Sequence, residues 1–357
     1  MKLVKFFALI AASASMFVGC EPTPQEEPAS ADAKLSVVKN VLEVNTPIEF
    51  IVEDVDGNDV TAESVIFDAI AYDEVSNPFT PTADGKYSFY AVYGDAISNH
   101  VEVVVTPTVP ALPEDAKPEN TEFKHRILLV DHTGTECGYC PRMMTALKEV
   151  AETGDYHSKY YEAIAHTYKQ TDPASSSAAF AVSGHFNIND YPTLTYNFYH
   201  STQSSYNPEH IKNQIDALWK EYAEVSVAAS TSLATKSVVV NTEIKAAVAG
   251  EYSINAWLLE DGIEAKQTNA TEDWMNIHNN AIRNAATTEP LTGYELGTIE
   301  AGKSVEQVLS LDITSAAWNR DNLKVMLIVS KKNDKGKFDV ANVAVCPLNE
   351  SITYDYK

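Results

Sequence analysis

The sequence predicts a multidomain protein that is β-rich at both ends and mixed α/β in the middle. Residues 34–106 and 225–357 consist of short runs that alternate apolar and polar positions and are separated by turn signals, a pattern typical of half-buried strands. Residues 123–224 instead give the order β-α-β-α-β-α, which favours a mixed α/β domain. A length of 357 residues agrees with two or three domains.

The composition is that of a globular protein with an acidic surface. Apolar residues make up 45% of the chain and charged residues 21%, while the formal net charge is −24. Because a negative surface repels phosphate groups, binding to nucleic acid or to anionic lipid through charge is excluded. The four cysteines, Cys20, Cys137, Cys140 and Cys346, are too few to frame a fold with disulfides.

The first 33 residues predict a leader and a tether. Residues 1–19 join a basic start to an apolar run that is too short to span a bilayer, and the run ends in Val18-Gly19-Cys20. This ending resembles a bacterial lipoprotein cleavage box, which implies that Cys20 becomes the lipidated first residue; the alternative is an ordinary secretory signal. Residues 20–33 have almost nothing apolar to bury, so we expect an extended tether.

Residues 34–106 predict a small immunoglobulin-like β-sandwich, since about 70 residues carry several short strands and regular turns. Two interpretations of this unit are open: a spacer that holds the next domain away from the membrane, or a module for adhesion. Fold alone does not decide between them, and the spacer is favoured. Residues 107–122 are rich in proline and acids and form a linker.

The central domain carries the motif that indicates chemistry. An apolar strand at 127–130 leads through a turn into Cys137-Gly138-Tyr139-Cys140, and apolar residues then recur at helical spacing. The free N–H groups of a helix start stabilise a thiolate, which is the reactive form of cysteine. The pair therefore predicts thiol–disulfide exchange, with Cys137 as the more exposed nucleophile and Cys140 as the resolving thiol. A structural disulfide is the alternative.

These residues resemble the thioredoxin family. The C-x-x-C opens the first helix after a buried strand, Tyr191-Pro192-Thr193 heads a later strand as in the family's cis-proline loop, and Asp131 stands in register with the family's buried acid. The departures are Glu136, where the family usually has Trp, the pair Gly138-Tyr139, and a longer segment before Pro192.

The resemblance implies roles for these positions. It implies a cis bond before Pro192 and a buried Asp131 that passes a proton to or from Cys140. Tyr191 and Thr193, together with Tyr139, are then the residues that contact an extended substrate chain. No cofactor is expected beyond the dithiol. Zinc held by His132 and the two cysteines is an alternative that lacks a fourth ligand, so no metal is predicted.

The C-terminal residues 225–357 predict a second β-sandwich with an insertion that carries His278, Asn279 and Arg283. Residues 123–357 together resemble a Bacteroidetes-type outer-membrane lipoprotein family with a thioredoxin-like core and a C-terminal sandwich. The resemblance implies an outer-membrane lipoprotein, periplasmic or surface-exposed. The predicted function is a lipid-anchored, extracytoplasmic thiol–disulfide oxidoreductase acting on protein thiols and disulfides. The alternative is a surface binding or adhesion lipoprotein that uses the central domain as a scaffold.

Overall fold

The computed structural model describes residues 33–198, 201–287, 289–313 and 318–357. The predicted signal peptide, the lipidated Cys20 and all of the tether except Ala33 lie outside the described residues. Within the part that is described, no helix is both long enough and apolar enough to cross a bilayer.

The N-terminal unit consists of two β-sheets on one core. Strands β1 and β3 form one sheet; the other has the order β2-β8-β6-β4-β5, with β7 paired to β6. Alternate side chains of both sheets meet in an apolar core in which the rings of Phe50 and Phe89 lie 4.8 Å apart. The strands are β1 (Ala33–Val37), β2 (Val41–Glu43), β3 (Phe50–Asp54), β4 (Val65–Asp68), β5 (Glu74–Val75), β6 (Gly85–Tyr93), β7 (Ala96–Ile97) and β8 (Val101–Thr106).

The linker after this unit is held against the C-terminal region. The ammonium of Lys245, which is buried, lies 3.0 Å from Asp115 Oδ2, and Tyr356 Oη donates to the same carboxylate at 2.9 Å. Because a buried cation must be paired, these contacts fix the linker in place.

The central region has the order β-α-β-α-β-β-α, with one strand more than the sequence predicted. In the sheet order β12-β11-β9-β10, strand β10 runs parallel to β9, and β11 and β12 run antiparallel to their neighbours. The elements are β9 (Ile127–Thr133), α1 (Cys140–Glu152), β10 (Tyr160–His166), α2 (Ser177–His185), β11 (Thr193–Tyr196), β12 (Ser201–Gln203) and α3 (Pro208–Leu218).

Strand β9 is buried on both faces, which explains its unbroken apolar run. Ile127 and Leu129 belong to the core under α1 and α3, whereas Leu128 and Val130 face the core that contains α2. The same alternation places Asp131 on the α1 face and His132 on the α2 face.

The C-terminal region forms a sheet of its own and also extends the sheet of the central region. Strands β20-β14-β13-β23 form a sheet of their own, and β16 pairs with β17. The strands are β13 (Val225–Leu233), β14 (Ser237–Ala246), β15 (Gly250–Glu260), β16 (Ile263–Glu264), β17 (Ile277–His278), β18 (Ala281–Ala285), β19 (Tyr294–Ile299), β20 (Ser304–Asp312), β21 (Leu323–Lys332), β22 (Phe338–Pro347) and β23 (Ser351–Ile352).

The central and C-terminal regions share one sheet, which the sequence did not predict. The order β12-β11-β9-β10-β18-β15-β21-β22 is continuous, with β19 paired to β15. The junction is a parallel pairing of β10 with β18, where Ile164 N donates to Asn280 O at 2.8 Å. Side chains of α2 and of Trp257 enter the same core. The predicted boundary between residues 224 and 225 therefore separates stretches of chain but does not separate sheets, and the fold is a β-rich, multi-sheet one with few helices.

Candidate functional site

The two cysteines of the motif form a disulfide at the start of α1. Cys137 and Cys140 are bonded, with their Cα atoms 5.4 Å apart. The turn before the helix is closed by Cys137 N donating to Gly134 O at 3.0 Å and Cys140 N donating to Cys137 O at 3.3 Å. Gly134 is required by close packing, because a Cβ there would lie 2.5 Å from Tyr168 Cβ.

Cys137 was predicted to be the more exposed of the two cysteines, and in the structure both are buried. Cys137 is 2% exposed and Cys140 0%. The cause is residues 265–280, called here the cap segment, which belong to the C-terminal region. Thr268 N donates to Thr135 O at 2.7 Å, and Gln267 Nε2 donates to Cys137 O at 3.0 Å.

A third contact of the cap segment holds the middle of the motif. Asn269 Nδ2 donates to Gly138 O at 3.1 Å, and a Cβ on Gly138 would lie 2.9 Å from that nitrogen. The cap segment is thus hydrogen-bonded to backbone carbonyls along the turn. Gly138 has no side chain that would block this contact.

Asp131 lies where the sequence predicted a buried acid. It is 2% exposed, and its Oδ1 has no hydrogen-bond partner. Burial raises its pKa well above the ordinary value, and the nearby carboxyl of Glu162 adds to the effect. Glu162 comes from β10 on the same face of the sheet, and burial raises its pKa to about 7.

The raised pKa of Glu162 predicts that Glu162→Gln stabilises the protein at neutral pH. The unfolded chain ionises Glu162 near pH 4.5, but the folded protein holds the proton until about pH 7, so ionisation costs stability as the pH rises between the two. We expect a gain in the free energy of unfolding of about 1–3 kcal/mol at pH 7.5 and almost none at pH 4.5. Urea unfolding of both proteins at the two pH values measures it.

Glu149→Gln is the matched control for this prediction, because Glu149 is exposed on the neighbouring helix. It removes one negative charge that is exposed to solvent, whereas Glu162→Gln removes a buried one. If Glu162→Gln and Glu149→Gln change stability equally at pH 7.5, the raised pKa of Glu162 is wrong.

The proline loop lies beside the disulfide turn. The peptide bond between Tyr191 and Pro192 is cis, as the resemblance implied. The register pairs Thr193 with His132 at the end of β9, which brings the loop next to the turn that follows that strand. The hydroxyl of Thr193 donates to Asp190 O at 2.7 Å, and Tyr191 Oη donates to Thr167 O at 3.2 Å. Both hydroxyls are therefore bonded to backbone carbonyls of the protein.

Exposed tyrosines surround the turn. Tyr139 is 60% exposed, and the guanidinium of Arg142 lies 5.2 Å from the centre of its ring and 5.6 Å from that of Tyr206. Tyr168 is also exposed and packs edge-on against Tyr191. Tyr139 was predicted to contact substrate, and this stays a prediction; Tyr168 and Tyr206 were not singled out, because neither lies near the motif in sequence.

His132 is a core residue and has no free nitrogen for a metal. Its Nδ1 lies 2.7 Å from Ser183 Oγ and its Nε2 3.0 Å from Thr195 Oγ1. Burial lowers its pKa to about 3, so the ring is neutral. Among the described residues, no group of three His, Cys, Asp or Glu side chains is arranged to hold a metal ion.

A buried acid–histidine pair supports the turn from the other side. Asp172 Oδ2 accepts from Thr135 N at 2.6 Å and lies 3.1 Å from His166 Nδ1. Burial would raise the pKa of Asp172, but hydrogen bonds from His166, Thr135 N and Ala174 N lower it to about 2. Because the carboxylate can only accept, His166 Nδ1 carries the hydrogen. Sequence reasoning missed this pair, since no motif joins residues 166 and 172.

The polar residues of the C-terminal insertion have structural partners. Arg283 donates to Glu260 Oε2 at 2.6 Å and to the carbonyls of Pro173 and Ser175 at 3.0 Å each. Asn279 Oδ1 accepts from Gly262 N at 2.9 Å. The two bonds of Arg283 to Pro173 and Ser175 join the C-terminal region to the loop before α2.

The fold and the site define a β-rich protein that carries a covered disulfide at a helix start. Residues 179–351 match the protein family described as "Outer membrane protein Omp28". The protein is accordingly an outer-membrane protein of the cell envelope. No curated protein matches the chain.

Solved structures add a likeness of fold. The protein described as "HBP35 of Porphyromonas gingivalis" is similar with a TM-score of 0.53 at 15% identity, over 65% of this chain and 77% of that chain. A β-glucosidase from Kluyveromyces marxianus matches with a TM-score of only 0.19 at 9% identity, over 39% of this chain and 15% of that one, which supports no argument.

Proposed function

We propose that this envelope protein is a thiol–disulfide oxidoreductase that uses the Cys137–Cys140 pair on protein thiols and disulfides. Residues 123–224 are proposed to be thioredoxin-like, with a lipid on Cys20 as the anchor of a Bacteroidetes-type lipoprotein. The observation that carries the proposal is Asp131, a buried carboxyl on the strand that leads into the disulfide turn, with an oxygen that has no partner.

A structural disulfide would not need this acid. An unpaired buried polar group costs stability, and a packed apolar residue in its place would not. Strongly shifted carboxyls concentrate at functional sites. Because burial raises the pKa of Asp131, it holds a proton and can give it to a leaving thiolate.

The proposed reaction starts from the oxidised pair, which is its state in the structure. A substrate thiolate attacks Cys137 Sγ, the bond between Cys137 and Cys140 breaks, and the Cys140 thiolate takes the proton of Asp131. The second substrate thiolate then attacks the substrate sulfur of the mixed disulfide and releases Cys137 as a thiolate. The substrate dithiol is oxidised and the protein's pair is reduced; the reverse sequence reduces a substrate disulfide.

Access to the sulfur is the condition for this reaction. The cap segment must separate from Thr135 and Gly138 before a protein thiol can approach Cys137. The hydrogen bonds that hold it are few and come from side-chain amides and one backbone N–H, so opening costs less than unfolding.

The burial of both sulfurs favours a second candidate, a surface binding protein in which the disulfide only fixes the turn. Under this alternative the β-sheet units bind a ligand and the central region is a scaffold. The two candidates differ in the stability of the disulfide against reduction.

The deciding experiment is the reduction potential of the Cys137–Cys140 pair, measured by glutathione titration with trapping of free thiols. Exchange proteins have potentials of roughly −270 to −120 mV, and structural disulfides lie below about −300 mV. We expect a value in the first range. Cys140→Ser should trap a mixed disulfide on Cys137, and Cys137→Ser should not trap one on Cys140. A pair that stays oxidised below about −300 mV supports the scaffold instead.

A further inference from the structure

A cavity of about 220 Å³ lies between α1, strands β9 and β10 and the cap segment. It is called here the α1 pocket. Its volume is several times the roughly 30 Å³ that one water occupies in the liquid. The residues that decide its chemistry are Asp131, Glu162, His166, Leu147, Trp274 and Ile277.

The α1 pocket is lined by buried polar atoms that lack partners. Asp131 Oδ1 and His166 Nε2 are both buried and have no hydrogen-bond partner. Glu162 adds a second carboxyl to the same cavity, where it also has a hydrogen bond with Asn280. Leaving polar atoms unpaired is costly, and carboxyl oxygens accept hydrogen bonds, so the pocket is suited to a ligand head that donates them.

Charge narrows the class of ligand. Burial raises the pKa of both carboxyls, which shows that each would gain from a positive partner in place of lost solvent. A primary ammonium carries one positive charge and three N–H donors and no acceptor, which suits a pocket lined by two carboxyls.

The walls are apolar, and the rim carries one cation. Leu147 comes from α1, and Trp274 and Ile277 come from the cap segment. The ammonium of exposed Lys148, which also lines the pocket, lies 4.9 Å from the centre of the Trp274 ring. A ligand with a second positive charge at its far end would meet this ammonium and be repelled.

We propose that the α1 pocket binds a small organic monocation, a primary alkylammonium whose head lies at Glu162, above Asp131 and His166, with its hydrocarbon chain against Leu147, Trp274 and Ile277. This goes beyond disulfide exchange and does not depend on it, because no step of binding involves the cysteines.

Isothermal titration calorimetry on the intact chain at pH 7.5 tests the proposal with 1-aminohexane as the probe. We expect saturable binding of 1-aminohexane, and binding at least about tenfold weaker for the uncharged 1-hexanol and for 1,6-diaminohexane. No binding of the amine at millimolar concentration overturns the proposal, as does equal binding of the alcohol.

Two variants separate the pocket from the net charge of the protein. Glu162→Gln keeps the shape and should weaken 1-aminohexane binding at least about tenfold. Glu149→Gln removes an exposed charge from α1 outside the pocket and should leave the affinity unchanged. Equal effects of the two variants would mean attraction by the acidic surface alone. A disulfide that proves structural would leave these outcomes intact, so the two proposals fail separately.

Discussion

Arg283→Met should lower the free energy of unfolding by about 3–5 kcal/mol. Arg283 and Glu260 are 4% and 5% exposed and lie 2.6 Å apart, so the substitution leaves a carboxylate buried without its cation. The carbonyls of Pro173 and Ser175 lose their donor at the same time. Urea unfolding followed by far-ultraviolet circular dichroism measures the loss.

The matched control is Lys332→Met, which removes a cation from the exposed pair with Glu251. Exposed pairs contribute at most about 1 kcal/mol, so this loss should be small. Arg283→Met combined with Glu260→Gln should recover part of the stability, because no buried charge remains unpaired. If Arg283→Met is no more harmful than Lys332→Met, the buried pair does not join the C-terminal region to the loop before α2.

Local pattern predicted the elements that position the disulfide. The apolar run at 127–130, the C-x-x-C and the helical spacing after it predicted β9, the turn and α1, and the structure has them at Ile127–Thr133 and Cys140–Glu152. Each of these signals lies within about ten residues, where periodicity and turn chemistry act. The buried position of Asp131 came from its register with a known family.

Contacts between distant segments left no such signal. The shared sheet depends on one short parallel pairing at Ile164 and Ala281, and β-strands carry no mark of which distant strand they join. The position of the cap segment could not be predicted for the same reason, because Gln267 lies 130 residues after Cys137, whose carbonyl it binds. The burial of both cysteines was not predicted, because their exposure was judged from the motif alone.

Removing the side-chain amides of the cap segment should expose the disulfide to reductant. In the double variant Gln267→Ala/Asn269→Ala, the carbonyls of Cys137 and Gly138 lose their donors from the cap segment. At about 0.5–1.5 kcal/mol for each of these two hydrogen bonds, opening becomes roughly 5–150 times more frequent. We expect the rate of reduction by dithiothreitol to rise by this factor, measured by quenching and counting free thiols over time.

Gln307→Ala is the control, since its amide binds Asn40 and Val308 O far from the turn and should leave the rate unchanged. Gly138→Ala tests the same surface from the other side, because its Cβ would press on Asn269 and should also speed reduction. Unchanged rates in the double variant and in Gly138→Ala would mean that the sulfurs are buried by the core beneath them. A protein substrate could then reach Cys137 only through a larger opening of the shared sheet, and the scaffold function would be favoured.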